Sequence, residues 1–191
     1  MKGILRDYAI VMVAALVIAL ILRFGVVSGY RVTSCSMEGA LYEGDYIFVN
    51  KLAYVTATPA RHDIVVFHRP GNQNDYVKRV VGLPGDTVEV WYKNVYINGL
   101  LLEELPMMKH VDADTLPASR SNRDFMGCVV PPNHIFVMGD NRDDSRDSRF
   151  IGCVPDSLLV GKALTVYWST SPDMPLYNPA SWRLNRVFAD L

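Results

Sequence analysis

Tyr76-Val77-Lys78-Arg79-Val80-Val81-Gly82-Leu83-Pro84-Gly85-Asp86 is the stretch whose reading decides the fold. A run rich in β-branched and aromatic residues breaks off at a Gly/Pro/Asp cluster, as a short strand does at a turn. The same grammar repeats in both directions. Downstream come Thr87 to Tyr92 and Val95-Tyr96-Ile97, then Asn98-Gly99, a type I′ hairpin signal, with Leu100 to Glu103 as the returning strand. Upstream, Tyr46-Ile47-Phe48-Val49 follows the turn signal Glu43-Gly44-Asp45, and Asp63 to Phe67 ends at Arg69-Pro70-Gly71. Later, His134 to Met138 follows Pro131-Pro132-Asn133, and Leu158 to Trp168 reads as one more strand region. With eleven prolines and thirteen glycines spread along the chain, the expectation is a mainly β domain.

The N-terminus is of another kind. From Tyr8 to Leu22 the sequence is apolar apart from one hydroxyl; Arg23 interrupts it and Phe24-Gly25-Val26-Val27 continues it. A span needs about twenty residues, and an arginine near one end can snorkel to the interface, so the run to Val27 reads as one transmembrane helix. A cleaved signal peptide competes, with Lys2 and Arg6 as its basic region. Its small-residue cleavage pattern is poor. An uncleaved anchor is preferred, with the N-terminus cytoplasmic and the domain on the far side of the membrane. The 191 residues then divide into an anchor (1–29), a β core (30–104 and 127–170), an insertion or subdomain without clear period (105–126), and a weakly patterned tail (171–191).

Bulk composition excludes more than it proposes. Net charge is −1, and no basic patch or motif recruits nucleic acid. Cys35, Cys128 and Cys153 include no Cys-x-x-Cys pair, and His62, His68, His110 and His134 lack ligand spacing, so neither zinc nor any other cofactor is expected. Cys128 and Cys153 are able to pair in an oxidising compartment, or to serve as small buried thiols. The charged loop Gly139 to Arg149 lacks the glycine and glutamate of a calcium loop.

Ser34-Cys35-Ser36-Met37 follows directly on the apolar run, and Ser36 is the candidate nucleophile. No histidine stands in a motif with an orienting carboxylate. A lysine can act as base if burial disfavours its ammonium, and Lys78 sits in an apolar run, sharing a strand face with Tyr76 and Val80. Taken singly, Lys78 reads as a surface lysine, Ser36 as a loop serine and Gly139 to Arg149 as a solvated turn. The combination is far more specific. From the anchor to about Ala163 the chain resembles signal peptidase I, the membrane-bound Ser-Lys endopeptidase of bacteria. The resemblance lies in Ser34-Cys35-Ser36-Met37 with Gly44-Asp45, Arg61-His62-Asp63 to Phe67, Tyr76 to Asp86, and Gly139-Asp140-Asn141-Arg142 through Ser145, Asp147-Ser148-Arg149 and Gly152.

That resemblance implies an antiparallel, partial-barrel catalytic domain with an inserted subdomain, and a role for each matched residue. Ser36 is the nucleophile and Lys78 the general base. Ser34 joins the Ser36 N–H in the oxyanion hole, Ser145 orients the lysine amine, and Asp147 with Arg149 forms a supporting ion pair. It implies secretory precursors as partners, cut after small residues at the bilayer surface. Apolar pocket walls fall to Tyr30, Val32, Met37, Ile47, Val66 and Val77, for each of which plain core packing is the competing reading. The chain departs from the family at Gly39-Ala40, where Pro-Thr is usual, and a looser turn behind the nucleophile is expected. Cys35 and Thr33 also stand where glycine and proline are common. That departure leaves room for a specialised relative maturing a pilin-like or conjugation substrate. A membrane-tethered, catalytically silent peptide-binding β-domain is the non-enzyme alternative; it predicts loss of a catalytic group, and none is lost.

Overall fold

The computed structural model describes residues 2–21, 25–69, 74–110, 125–175, 177–189 and 191. A helix, α1 (Lys2–Ile21), leads the chain. The described strands are β1 (Val27–Arg31), β2 (Asp45–Asn50), β3 (Ile64–His68), β4 (Asp75–Gly82), β5 (Thr87–Trp91), β6 (Asn94–Ile97), β7 (Leu100–Leu101), β8 (Phe125–Val129), β9 (His134–Met138), β10 (Val154–Pro155) and β11 (Leu159–Ser169). A short helix, α2 (Ser148–Ile151), lies between β9 and β10.

All strand pairing is antiparallel. Seven strands form one sheet in the order β1-β2-β11-β3-β4-β9-β10, and four form a second in the order β7-β6-β5-β8. β11 pairs with β2 on one side and β3 on the other, with breaks in register on both ladders. Such irregularities bend a strand and curl its sheet.

The apolar runs are explained by burial on both faces. In β3, Ile64 and Val66 enter one core cluster with Val32, Met37, Leu41 and Ile47, while Val65 and Phe67 enter another with Val80, Ile135 and Val137. A third cluster, including Val81, Val88, Val95, Phe136 and Met138, joins the two sheets. Asn98 and Gly99 both take positive φ, 53° and 78°, as the type I′ signal expects. Tyr92 and Lys93 do the same at 46° and 69° without a glycine.

Two sequence expectations change at the edges. The strand after the Asn98-Gly99 turn stops at Leu101, short of Glu103. β8 begins at Phe125, inside the stretch read as an insertion, because it completes the second sheet beside β5; residues 111–124 of that stretch lie outside the described residues. The tail, weakly patterned in sequence, packs back on the sheet. Trp182 packs edge-on to Trp168 with ring centroids 5.3 Å apart, and the Phe188 N–H donates to the Val166 carbonyl on β11.

Among the described residues, no helix is long and apolar enough to cross a membrane. Along α1, Ile10, Val11, Met12, Val13 and Leu16 each expose more than half of their surface.

Candidate active site

β1 delivers the chain into a loop that begins at Val32 and returns at Asp45. Its neck is closed by the Val32 N–H to the Asp45 carbonyl at 2.8 Å and the Gly44 N–H to the Val32 carbonyl at 2.9 Å. A single 3-10 turn over Cys35–Met37 forms its tip, pinned from below by the buried Met37. Ser36 stands on that turn.

β4 supplies the partner. Antiparallel pairing sets Lys78 opposite Val65, and only 4 % of the lysine is exposed. Its amine lies 2.5 Å from the Ser36 hydroxyl oxygen, and 5.6 Å from the centroid of Tyr76, the residue expected on the same face. Burial lowers the Lys78 pKa to about 8, against the Asp147 and Asp140 carboxylates, which raise it. At pH 7 roughly a tenth of such a lysine is therefore an amine able to accept a proton, several hundred times the fraction at the ordinary pKa. Ser34 completes the cluster, its hydroxyl 3.2 Å from that of Ser36.

The loop after β9 closes over the back of the turn. The Asn141 N–H donates to the Ser36 carbonyl at 3.2 Å, and the Asn141 side-chain amide donates to the Cys35 carbonyl at 3.3 Å. This approach needs glycine at position 139. A Cβ there would stand 2.3 Å from both the Ser145 hydroxyl oxygen and the Ser36 carbonyl oxygen. Asp147 and Arg149 form a buried two-point pair, both contacts at 2.8 Å, and Asp147 also accepts the Gly139 N–H at 3.0 Å. Burial alone would raise the Asp147 pKa; the adjoining guanidinium overrules it and holds the carboxyl below its usual range. The pair thus fixes the loop at both ends, the geometric use to which such forks are best suited.

Of the residues singled out from sequence, Ser34, Ser36 and Lys78 meet in one place. Ser145 is buried beside them, yet the expected hydrogen bond to Lys78 is not formed. The lysine amine is engaged by Ser36, and the Ser145 hydroxyl faces the buried Asp147 carboxylate, whose pKa it helps to lower. The six expected wall residues divide. Val32, Met37 and Val77 line a groove of about 650 Å³ that runs past Ser36 and Lys78. Ile47 and Val66 do not line it: they are wholly buried, because their strand alternation points them into the core beneath, and Tyr30 packs on the same cluster. Arg31, Asp75, Asp144 and Arg146 give the groove a charged rim.

Two groups escaped the sequence reading. Arg79, next to Lys78 but on the opposite face, is 1 % exposed and binds both oxygens of the buried Asp140 at 2.8 and 2.7 Å. The available signal was an arginine inside an apolar strand, which demands a buried counter-charge. Asn141 was quoted only as part of a motif; its contacts to the nucleophile turn are long-range and leave no periodic trace.

The family model described as signal peptidase, peptidase S26, matches residues 5–168. Signal peptidase I of Pseudomonas aeruginosa is 34% identical over 220 residues, covering 93% of this chain and 77% of the relative. Signal peptidase IB of Staphylococcus aureus is 33% identical over 187 residues, covering 94% and 97%. The crystal structure of a signal peptidase I from Enterococcus faecalis aligns with 56% of this chain and 97% of its own, at 34% identity and a TM-score of 0.47.

Proposed function

The chain belongs to the signal peptidase family, peptidase S26, and we propose that it removes signal peptides from secretory precursors by a Ser36–Lys78 dyad at the bilayer surface. It is a serine endopeptidase of that family. The observation that carries the dyad is the 2.5 Å approach of a buried, pKa-depressed lysine to the hydroxyl of Ser36.

In this reading the neutral Lys78 amine takes the Ser36 proton as the hydroxyl oxygen attacks the scissile carbonyl carbon. The Ser36 N–H and the Ser34 hydroxyl donate to the developing oxyanion, each such donor contributing on the order of 3 kcal/mol to the barrier. Collapse breaks the peptide bond, and the Lys78 ammonium returns its proton to the leaving amine of the mature chain. A water then attacks the acyl-Ser36 ester, again deprotonated by Lys78, and frees the signal peptide as a carboxylate. Ser145, buried beside Asp147, supplies a hydroxyl for the amine when it swings away from Ser36. Val32, Met37 and Val77 exclude bulk on the substrate's acyl side. The extended precursor adds along the strand edge at the groove.

A membrane anchor is part of the same proposal. It is supported by the all-round apolar exposure of α1, by the continuation of the apolar run to Val27, and by the position of Ser36 thirteen residues after Arg23. A bilayer as cover would place the active site at the height where a signal peptide's apolar core ends. The N-terminus then faces the cytoplasm, and the β domain the other side of the cell membrane. Residues 30–104 and, from the start of β8, 125–170 form the catalytic core, with the stretch between them as an insertion.

Purified protein incubated with a secretory precursor decides the matter. Wild type is expected to cut after a small residue, while Ser36→Ala and Lys78→Ala fail. Equal cleavage by all three would remove the dyad.

A further inference from the structure

Asp45 opens β2 and is wholly buried, which a carboxylate tolerates only when fully partnered. Local groups do part of this. The Tyr42 N–H donates to it at 2.8 Å and the Ser169 hydroxyl at 2.6 Å. The rest comes from the far end of the chain. Arg186 reaches Asp45 through Nε at 3.1 Å and a terminal nitrogen at 2.7 Å, and its guanidinium lies 4.3 Å from the centroid of the Tyr42 ring. Arg183 reaches the other oxygen at 3.4 Å.

Both arginines also hold backbone on the nucleophile loop. The Arg186 terminal nitrogen donates to the Ala40 carbonyl at 2.7 Å, and that of Arg183 to the Glu43 carbonyl at 2.6 Å. Ala40 is one step from the reaction centre's support, since the Ala40 and Leu41 N–H groups both donate to the Met37 carbonyl, at 3.2 and 2.8 Å. Gly39, just before it, takes φ +119°, where no proline fits, and a Cβ there would lie 1.9 Å from the Met107 carbonyl oxygen. The limb is held from outside, by contacts with Met107 and Arg186.

We propose that Arg186, supported by Arg183, is a positioning residue: it clamps the returning limb of the nucleophile loop to Asp45 and so sets where Ser36 meets Lys78. The clamp replaces, from the C-terminal segment, the local rigidity that a proline behind the nucleophile would give. It acts through Ala40, Met37 and the 3-10 turn, and touches no substrate. The inference rests on Ser36 being the nucleophile.

The test uses the full chain in detergent with a precursor peptide, reading kcat and KM separately and normalising to the folded fraction from the unfolding amplitude. Arg186→Ala is expected to lower kcat by roughly ten- to a hundredfold, as small misplacements of a reacting group do, with KM within about twofold of wild type. Arg186→Lys keeps a charge for Asp45 but cannot fork to the Ala40 carbonyl as well; it should fold like wild type and fall between the two in kcat. Should Arg186→Ala fail to fold, the lysine variant and the neutral pair Asp45→Asn with Arg186→Gln carry the same comparison. Unchanged kcat in the folded variants, a loss confined to KM, or a loss accounted for by the unfolded fraction would each overturn the clamp. Ser36→Ala is run alongside. If it still cleaves, the dyad reading fails; if it is dead while the Arg186 variants are fully active, only the clamp fails.

Discussion

Lys78 lowers the stability of the fold at neutral pH. Its folded pKa is about 8 against an ordinary 10.5, and burial is the main cause. Between those values the unfolded chain holds a proton that the folded chain has released, so stability rises with pH across that window. Below about 8 the penalty is present in full, on the order of 3 kcal/mol. Lys78→Met is expected to be inactive, to unfold at higher denaturant concentration than wild type at pH 7, and to lose the gain between pH 8 and 10.5. Denaturant titrations of both proteins at two pH values check this. Wild-type cleavage should climb with pH through about 8 and then level, because only the amine serves as base; a flat profile from pH 5 to 9 contradicts it. Ser145 offers a complementary case. Its hydroxyl faces the buried Asp147 carboxylate and helps to hold that carboxyl's pKa down, so Ser145→Ala removes one of its donors and should lower stability by about 1 kcal/mol. The same change should slow cleavage by roughly ten- to a hundredfold without abolishing it, a split that melting curves and rates together would reveal.

At the level of elements, β8 and the segment after α2 meet through their cysteines, with Cys128 and Cys153 sulfurs 3.7 Å apart and both thiols free. Exchange with a small disulfide reagent is expected to join them, forming one S–S bond while the reagent leaves as two thiols. Burial and the neighbouring Cys128 raise the Cys153 pKa, so the thiolate is scarce and the reaction slow at pH 7. The bond closes 25 residues and should add roughly 3 to 4 kcal/mol, read as a shift of the unfolding midpoint that Cys128→Ser cancels. From sequence the Cys128–Cys153 pair is only an option for an oxidising compartment, because no local pattern fixes it. The contrast with the strands is instructive. β3, β4, β5 and β9 were visible because alternation and turn residues are local, and Asn98-Gly99 gave its hairpin by φ alone. Ser36 and Lys78 were visible as chemistry but persuasive only through motif resemblance. What stayed hidden was contact between distant segments. Arg79 binds Asp140, Asn141 holds the Ser36 carbonyl, and Arg183 and Arg186 organise a tail that carries no period. Ile47 and Val66 show the converse error: matched positions named them as pocket walls, but the pleat turned them inward beneath the groove.

The whole molecule combines a β domain whose core is closed with a helix whose apolar surface is not. Ile10, Val11, Met12 and Val13 are consecutive, so their side chains point around most of the helix circumference, and all are more than half exposed. Water is a poor solvent for such a surface, at roughly 25 cal/mol for each Å² left uncovered. In the proposed anchoring, a bilayer is the cover for this apolar stretch of α1, as it is for a helix that is hydrophobic all round. The full chain is therefore expected to float with phospholipid vesicles and to resist extraction by alkaline carbonate. Val13→Lys and Leu16→Lys each place a charge mid-helix at about 3 kcal/mol. The double variant should move to the soluble fraction while its β domain unfolds at the wild-type denaturant concentration. If the variant cuts a short soluble peptide at the wild-type rate but a vesicle-inserted precursor far more slowly, α1 contributes height and local concentration rather than catalytic geometry. Retention of the double variant on vesicles would show that the domain's own surface, not α1, holds the protein at the membrane.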